Sequence, residues 1–160
     1  MSSNRKRTIV HGLAAVTLAF GAAGLLPASA DIDGDVRAGI NADAEGPFLG
    51  GGILTPIGKS SSWFLNPNAE YTAGDEADVL SVNADVHYDF PTSTSWTFWL
   101  GAGPALVTYD PEFGEDDDND LGVNLLVGTG AKRGKVRPFF QGKYFAADND
   151  QLLVAGGIRW

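Results

Sequence analysis

The residues of this chain that could carry out chemistry are concentrated in one stretch, Val79–Phe90, which reads VLSVNADVHYDF. His87 is the only histidine after residue 30, and Ser81, Asp85 and Asp89 share its parity along the chain. A histidine with carboxylates and a hydroxyl on one face is the raw material of general-base and nucleophilic catalysis. The same four side chains also form an ordinary enclosed polar network. We favour the network and predict no catalytic residue.

A second candidate site is the acidic segment Asp116–Asp120, in which aspartates alternate with other residues as at the start of a calcium-binding loop. An EF-hand needs Gly at its sixth position and Glu at its twelfth, where this chain has Leu121 and Val127. We therefore predict no EF-hand, no metal ligand set and no cofactor. A loose divalent-cation site at Asp116–Asp120 stays open.

The polar residues of Val79–Phe90 alternate with apolar ones, so the stretch predicts a β-strand with two different faces. Similar runs recur throughout the chain and no convincing amphipathic helix interrupts them. We predict strands at 35–44, 47–57, 63–73, 79–90, 96–109, 121–132, 136–147 and 151–160. Short connections favour an antiparallel up-and-down meander. Pro56 and Pro104 predict a bulge or local break in the second and fifth strands, whose faces the pattern leaves ambiguous.

Residues 1–30 have the pattern of a secretory signal peptide, with basic residues at 5–7, an apolar run and Ala28-Ser29-Ala30 before Asp31. Residues 31–160 are then one domain. Removing the signal takes away three of the 11 cations and none of the 20 acids, which leaves a formal charge of −12. This charge excludes a nucleic-acid partner. Because the chain has no cysteine, a core or a closed sheet must stabilise the exported domain.

Acidic and basic residues lie in different connections between the predicted strands. The odd-numbered connections hold 14 acids and no Lys or Arg, whereas the even-numbered ones, GKSSS, PTSTS and AKRGK, hold four bases and no acid. In a meander, the odd connections share one end and the even connections the other. The separation is therefore what a meander produces when its two ends meet different surroundings.

Three features indicate lipid outside the sheet. Aromatic residues lie where the apolar face meets the even-numbered turns, as in a membrane girdle: Trp63, Tyr88, Phe90, Trp96 and Trp160. Glycine is abundant on the polar face, where a narrow lumen needs small residues. The charges on that face nearly balance, as enclosed ions require: Glu70, Asp85, Asp89, Arg37, Arg137, Lys143 and Arg159. We expect Trp99, Tyr109, Phe139 and Phe145 to help fill the lumen.

The segments WFLNPNAEYTAG, VNADVHYDFP, WLGAGPALVTYD and GVNLLVGTGAKRGKVRPFFQGKYF, with the closing LLVAGGIRW, resemble the small eight-stranded outer-membrane β-barrel proteins of the OmpA-type and opacity-type, porin-like group. The resemblance spans essentially all of 31–160. It implies an all-β, eight-stranded antiparallel transmembrane barrel in the outer membrane of a Gram-negative envelope. It also implies that the barrel assembly machinery reads the last strand, which ends at Trp160.

The resemblance implies a monomer that contacts outer-membrane lipid and lipopolysaccharide in a structural or surface-interaction role. Deacylases of this group use a His-x-Ser pair, whereas this chain reads His87-Tyr88-Asp89. An envelope-lipid-modifying enzyme is therefore the less favoured alternative. A soluble exported barrel with an apolar ligand is another, and it requires the apolar face to point inwards.

Overall fold

The computed structural model describes residues 32–58, 62–74, 77–111 and 118–160, so the predicted signal peptide lies outside the described residues. Eight strands follow one another: β1 (Asp33–Asn41), β2 (Gly46–Pro56), β3 (Trp63–Ala73), β4 (Ala77–Phe90), β5 (Trp96–Pro111), β6 (Asp118–Ala131), β7 (Arg137–Ala146) and β8 (Gln151–Arg159). Each strand pairs antiparallel with the next, and β8 pairs with β1. The sheet is thus a closed up-and-down barrel, as the alternation predicts.

The predicted strands agree with the observed ones to within three residues at every boundary. Closure removes the free edges that an open sheet of this length would expose. In the part of the chain that the structure describes, no helix is long and apolar enough to cross a membrane.

The two faces of the barrel are the reverse of those of a soluble protein. On β4, Val82 is 54 % exposed on the outside, whereas Asp85 and His87 are 1 % and 2 % exposed inside. The same holds around the wall, where most exposed large side chains are apolar and most buried polar ones face the lumen. An apolar exterior around a polar interior is stable only with lipid outside. The predicted outward direction of the apolar face is confirmed.

The break predicted at Pro104 is confirmed, whereas the one predicted at Pro56 is wrong, because Pro56 pairs with Phe64 and the β2–β3 ladder is interrupted elsewhere. The β4–β5 ladder is interrupted between Asn83–Ala105 and Val86–Ala102, next to Pro104. The β2–β3 ladder is interrupted at Pro67, which has no N–H to offer Ile53 across from it. The Asn66 side chain donates to the Ile53 carbonyl instead, at 2.7 Å, so this buried acceptor keeps a partner.

The two ends of the barrel differ as the connections predict. One end of the barrel holds the start of β1 and the end of β8, and we call it the basic end. The turns at this end join β2 to β3, β4 to β5 and β6 to β7. Four of the five predicted girdle residues, Trp63, Phe90, Trp96 and Trp160, are exposed near this end, and Tyr88 is partly buried between the rings of Trp63 and Phe90. The opposite end, with the connections 42–45, 74–76, 112–117 and 147–150, is the acidic end.

Candidate functional site: the lumen and its two mouths

A buried guanidinium organises the middle of the lumen. Arg37 is 2 % exposed and donates to Asp35 Oδ1 from Nε at 2.9 Å and from Nη2 at 2.5 Å. Its Nη2 also donates to Asn66 Oδ1 at 2.8 Å, and its Nη1 to Glu70 Oε1 at 3.4 Å. These contacts join β1 to β3 across the bore. The sequence analysis places Arg37 and Glu70 in the enclosed ionic set but omits Asp35 and Asn66, although Asp35 shares the inward parity of Arg37.

Lys143 on β7 continues the network on the acidic side of Arg37. Its ammonium donates to Glu70 Oε2 at 2.8 Å and lies 3.6 Å from Asp85 Oδ2. Glu70 therefore bridges two cations that belong to strands far apart in the chain. The predicted ionic set is confirmed for Glu70, Asp85, Arg37 and Lys143.

Asparagine amides satisfy the carboxylate oxygens that the cations leave free. Asp85 accepts from Asn68 Nδ2 and from Asn124 Nδ2, each at 2.9 Å. Asn124 Nδ2 also donates to Asn83 Oδ1, and Asn83 Nδ2 to Asn68 Oδ1, both at 2.9 Å. These amides hold the carboxylates of the lumen in place, as a buried charge requires.

The fully enclosed charges balance. Three carboxylates and three cations of the described residues are buried in the lumen: Asp35, Glu70, Asp85, Arg37, Lys143 and Arg159. A neutral total keeps the cost of enclosing them low. The lumen is thus a closed ionic core with no spare fixed charge to attract a permeating ion.

Arg159 lies in the enclosed ionic set as predicted, but its closest partners are aromatic. No carboxylate of the described residues lies within ion-pair distance of it, and its guanidinium lies over the rings of Trp99, at 4.3 Å, and Phe139, at 4.7 Å. Both rings are almost completely buried, so the cation is stabilised by their π faces away from water. Asp35 acts on Arg159 from a greater distance, through the electrostatic attraction of their opposite charges.

Arg137 and Asp89 also lie apart from the central network. Arg137 pairs with Asp33 at 2.5 Å, and the two side chains are 22 % and 32 % exposed at the mouth of the basic end. Asp89 lies 3.3 Å from His87 Nε2. The predicted parity of both residues is right, but Arg137 pairs with Asp33 on β1 and Asp89 lies beside His87 on its own strand, so neither joins the central network.

Side chains fill the bore at two levels. Trp99 and Phe139 pack beside Arg159 near the basic end, with ring centroids 6.2 Å apart. Phe145 packs with Val79, Ala105 and Val107 nearer the acidic end, and Tyr109 contacts this cluster while remaining partly exposed. The predicted inward direction of all four aromatic residues is confirmed.

Glycine makes room for the largest of these rings. A Cβ on Gly128 would lie 2.2 Å from Trp99 Cε2, which is closer than any real contact. Between the two filled levels, the void beside Glu70 and Lys143 is only about 10 Å³, no more than one water needs. The lumen is closed.

His87 is enclosed among the side chains of the lumen. Its ring is 2 % exposed and lies against the rings of Phe64 and Trp99, with centroids 5.5 and 5.6 Å away. Ser81 is six residues away on the same strand, a separation of about 20 Å at roughly 3.3 Å per residue. Of the predicted set, Asp89 is therefore a neighbour of His87 and Ser81 is not.

The acidic end opens into a cavity of about 790 Å³ lined by Asp43, Glu45, Tyr109, Asp148, Asp150 and Gln151. Several of its acids cap the backbone: Asp43 accepts from Leu152 N at 2.6 Å. Asp150 accepts from the Tyr144 hydroxyl at 2.6 Å, and this hydrogen bond lowers the pKa of the Asp150 carboxyl below its ordinary value.

The described residues contain no group of three or more acids and histidines arranged to hold a metal ion. Residues 112–117 lie outside the described residues, and so does the side chain of Asp118. The open question of a divalent cation at Asp116–Asp120 therefore stays a prediction.

The comparisons with known proteins come from structure alone, since no protein-family model and no curated protein matches the chain. Neisserial surface protein A (NspA) superposes with a TM-score of 0.64 at 16 % identity, over 80 % of this chain and 94 % of that one. The N-terminal β-barrel domain of Pseudomonas aeruginosa OprF gives 0.59 at 13 %, over 81 % and 96 %.

The outer membrane enzyme PagL gives a TM-score of 0.52 at 13 % identity, over 79 % of this chain and 97 % of that one. These likenesses show the fold, which is that of the eight-stranded outer-membrane barrels. The apolar exterior agrees with this fold, because it is the face that a membrane barrel turns towards lipid. One of the three is an enzyme, so the fold by itself does not decide the function.

Proposed function

We propose that this outer-membrane barrel is a non-enzymatic protein with a structural or surface-interaction role and a lumen plugged by side chains. The observation that carries the proposal is the closed bore, with Trp99 and Phe139 at one level, Phe145 at another and a balanced ionic network between them. A barrel of eight strands has an interior that side chains can fill, unlike the channel of a large porin.

Conductance across planar bilayers tests the plugged lumen. We expect the purified monomer to give no steady single-channel steps, because aromatic side chains at two levels and the ionic network between them occupy the bore. Large, stable steps from a preparation that shows the gel shift of a folded barrel would refute the proposal and favour a transport function.

An enzyme that modifies envelope lipid is the second candidate, and the likeness to PagL keeps it open. The enclosed position of His87 argues against it, because a general base must reach the proton it removes. Purified protein in detergent with lipopolysaccharide and calcium should leave the acyl chains intact by mass spectrometry. Acyl loss that disappears in His87→Gln would establish the enzyme instead.

A soluble exported barrel that binds an apolar ligand is the third candidate, and it requires an apolar interior. Val82 and its neighbours on the apolar face point outwards, which argues against it. We expect the protein to stay with the outer-membrane fraction after a carbonate wash. Release into the soluble fraction would contradict the membrane placement.

We propose further that the acidic end faces the cell exterior, because an even number of strands puts both termini at the opposite, periplasmic end. Divalent cations would then bridge the acidic connections and the anionic lipopolysaccharide. Because the chain has no cysteine, Asp148→Cys and Arg133→Cys allow a direct test with a membrane-impermeant maleimide on whole cells. Asp148→Cys should be labelled and Arg133→Cys should not; the reverse pattern would overturn the orientation.

The last strand supports a role for Trp160 in assembly. The Trp160 backbone exchanges hydrogen bonds of 3.0 and 3.1 Å with Gly34, and its ring lies against Gly34, so it completes the β1–β8 seam. We propose that the barrel assembly machinery recognises this strand. Deleting Trp160 should reduce folded protein in the outer membrane while refolding in detergent continues; equal amounts in both settings would argue against recognition.

A further inference from the structure

An apolar groove runs along the outside of the barrel at the basic end. It has a volume of about 620 Å³ and is lined by Trp63, Val86, Tyr88, Phe90, Leu100 and Ala102. The rings of Trp63, Tyr88 and Phe90 form a continuous wall, with successive centroids 5.1 Å apart. Ala102, small and outward-facing, leaves the depression next to this wall.

The groove runs along part of one leaflet of a bilayer. On β4 its lining runs from Phe90 to Val86, four residues or about 13 Å at roughly 3.3 Å per residue. At a strand tilt of about 40°, this is about 10 Å along the membrane normal, or two thirds of one leaflet of a ~30 Å hydrocarbon core. The depression therefore accommodates the upper part of one acyl chain that starts at the basic end.

A fixed cation lies beside the turn that follows Phe90, one of the residues that line this groove. Lys132 is tied to the turn that joins β4 and β5, because its N–H donates to the Ser95 carbonyl at 2.9 Å and its ammonium to the Thr92 carbonyl at 2.5 Å. No carboxylate of the described residues is within ion-pair distance of Lys132, and the neighbouring Arg133 and Lys135 are exposed. The ammonium retains donors for an anionic group at the membrane surface.

We propose that the groove and Lys132 form a binding site for one anionic phospholipid, with an acyl chain along the aromatic wall and the phosphate at the Lys132 ammonium. The site rests on the membrane placement proposed above, but not on the plugged lumen or the absence of enzymatic activity. Charge complementarity selects the head group, since the basic end of the barrel carries unneutralised cations and a phosphatidylglycerol head carries a net negative charge.

Native mass spectrometry of the folded barrel tests the site, with micelles that contain equal amounts of phosphatidylglycerol and phosphatidylcholine. We expect one phosphatidylglycerol to be retained in preference to phosphatidylcholine by about fivefold, the effect of one lysine near a membrane surface. Ala102→Phe should lower lipid retention about fivefold because the ring occupies the groove. Ala38→Phe, an outward alanine on β1, is the matched control and should retain lipid like the wild type.

Lys132→Gln distinguishes the contribution of the lipid head group to binding from that of the acyl chain. It should abolish the preference for phosphatidylglycerol while total lipid retention stays close to that of the wild type, and it decides the question alone if Ala102→Phe does not fold. Equal retention of the two lipids by the wild type, or identical behaviour of Ala102→Phe and Ala38→Phe, would overturn the proposal. Conductance and acyl-loss assays report on the proposed function separately.

Discussion

Replacing Arg37 by methionine removes the central cation of the lumen while keeping most of its volume. In the variant, Glu70 retains Lys143 at 2.8 Å, but Asp35 loses both hydrogen bonds from the guanidinium and retains only Asn66, at 2.9 Å. Asp35 is 1 % exposed, so water cannot replace the missing donors. The variant therefore contains an enclosed carboxylate without an ion-pair partner, because Arg159 acts on Asp35 only from beyond ion-pair distance.

The cost follows from that uncompensated charge. Breaking a buried ion pair by removing one partner costs roughly 3–5 kcal/mol. With a denaturant slope of about 2 kcal/mol per molar urea, the unfolding midpoint should fall by roughly 2 M. The contact of Arg37 with the face of Phe139, at 5.8 Å, adds little at that distance.

Urea unfolding of the barrel in lipid vesicles, followed by tryptophan fluorescence and by gel shift, measures the change. Arg137→Met is the matched control, because its pair with Asp33 is partly exposed and should contribute only about 0–1 kcal/mol. The double variant Asp35→Asn with Arg37→Met removes both charges and should recover most of the loss. Equal effects of Arg37→Met and Arg137→Met, or no recovery in the double variant, would refute the reasoning.

Two other substitutions test the packing of the lumen and the electrostatics of the acidic end. Gly128→Ala should lower the urea midpoint of unfolding, because the new Cβ would lie 2.2 Å from Trp99. Gly142→Ala is the control and should have little effect, because its Cβ would have no neighbour closer than 3.7 Å. Similar midpoints for the two variants would contradict the close packing. Tyr144→Phe should raise the pKa of Asp150 towards its ordinary value. Because the pKa of Asp150 is lower in the folded state, the carboxylate stabilises the fold at pH values above its unfolded-state pKa, and this stabilisation disappears as the pH falls through the folded-state pKa. NMR titration and acid unfolding should both detect the change in Tyr144→Phe. An unaltered Asp150 titration would exclude the hydrogen bond.

The sequence is sufficient to predict the strands, the inward and outward faces of all but the second and fifth, and the segregation of charge between the ends. A strand alternates its side chains with a period of two, so Val82 and Asp85 take opposite faces whatever their partners are. The aromatic girdle follows from the same rule. These properties are local, and a pattern of neighbouring residues is enough to reveal them.

The contacts inside the lumen depend on register and closure, which no local pattern contains. Parity places Arg37, Arg137 and Arg159 in the same interior, but only the closed barrel gives Arg37 two carboxylates, Arg137 one partner at the mouth and Arg159 two aromatic rings. A one-residue change of register would exchange the faces of a whole strand. The sequence by itself therefore determined a barrel with a polar, charge-balanced interior. The tertiary structure decided which charges meet across the bore, because pairs such as Lys143–Glu70 and Arg137–Asp33 lie on strands distant in the chain and come together only when β8 pairs with β1.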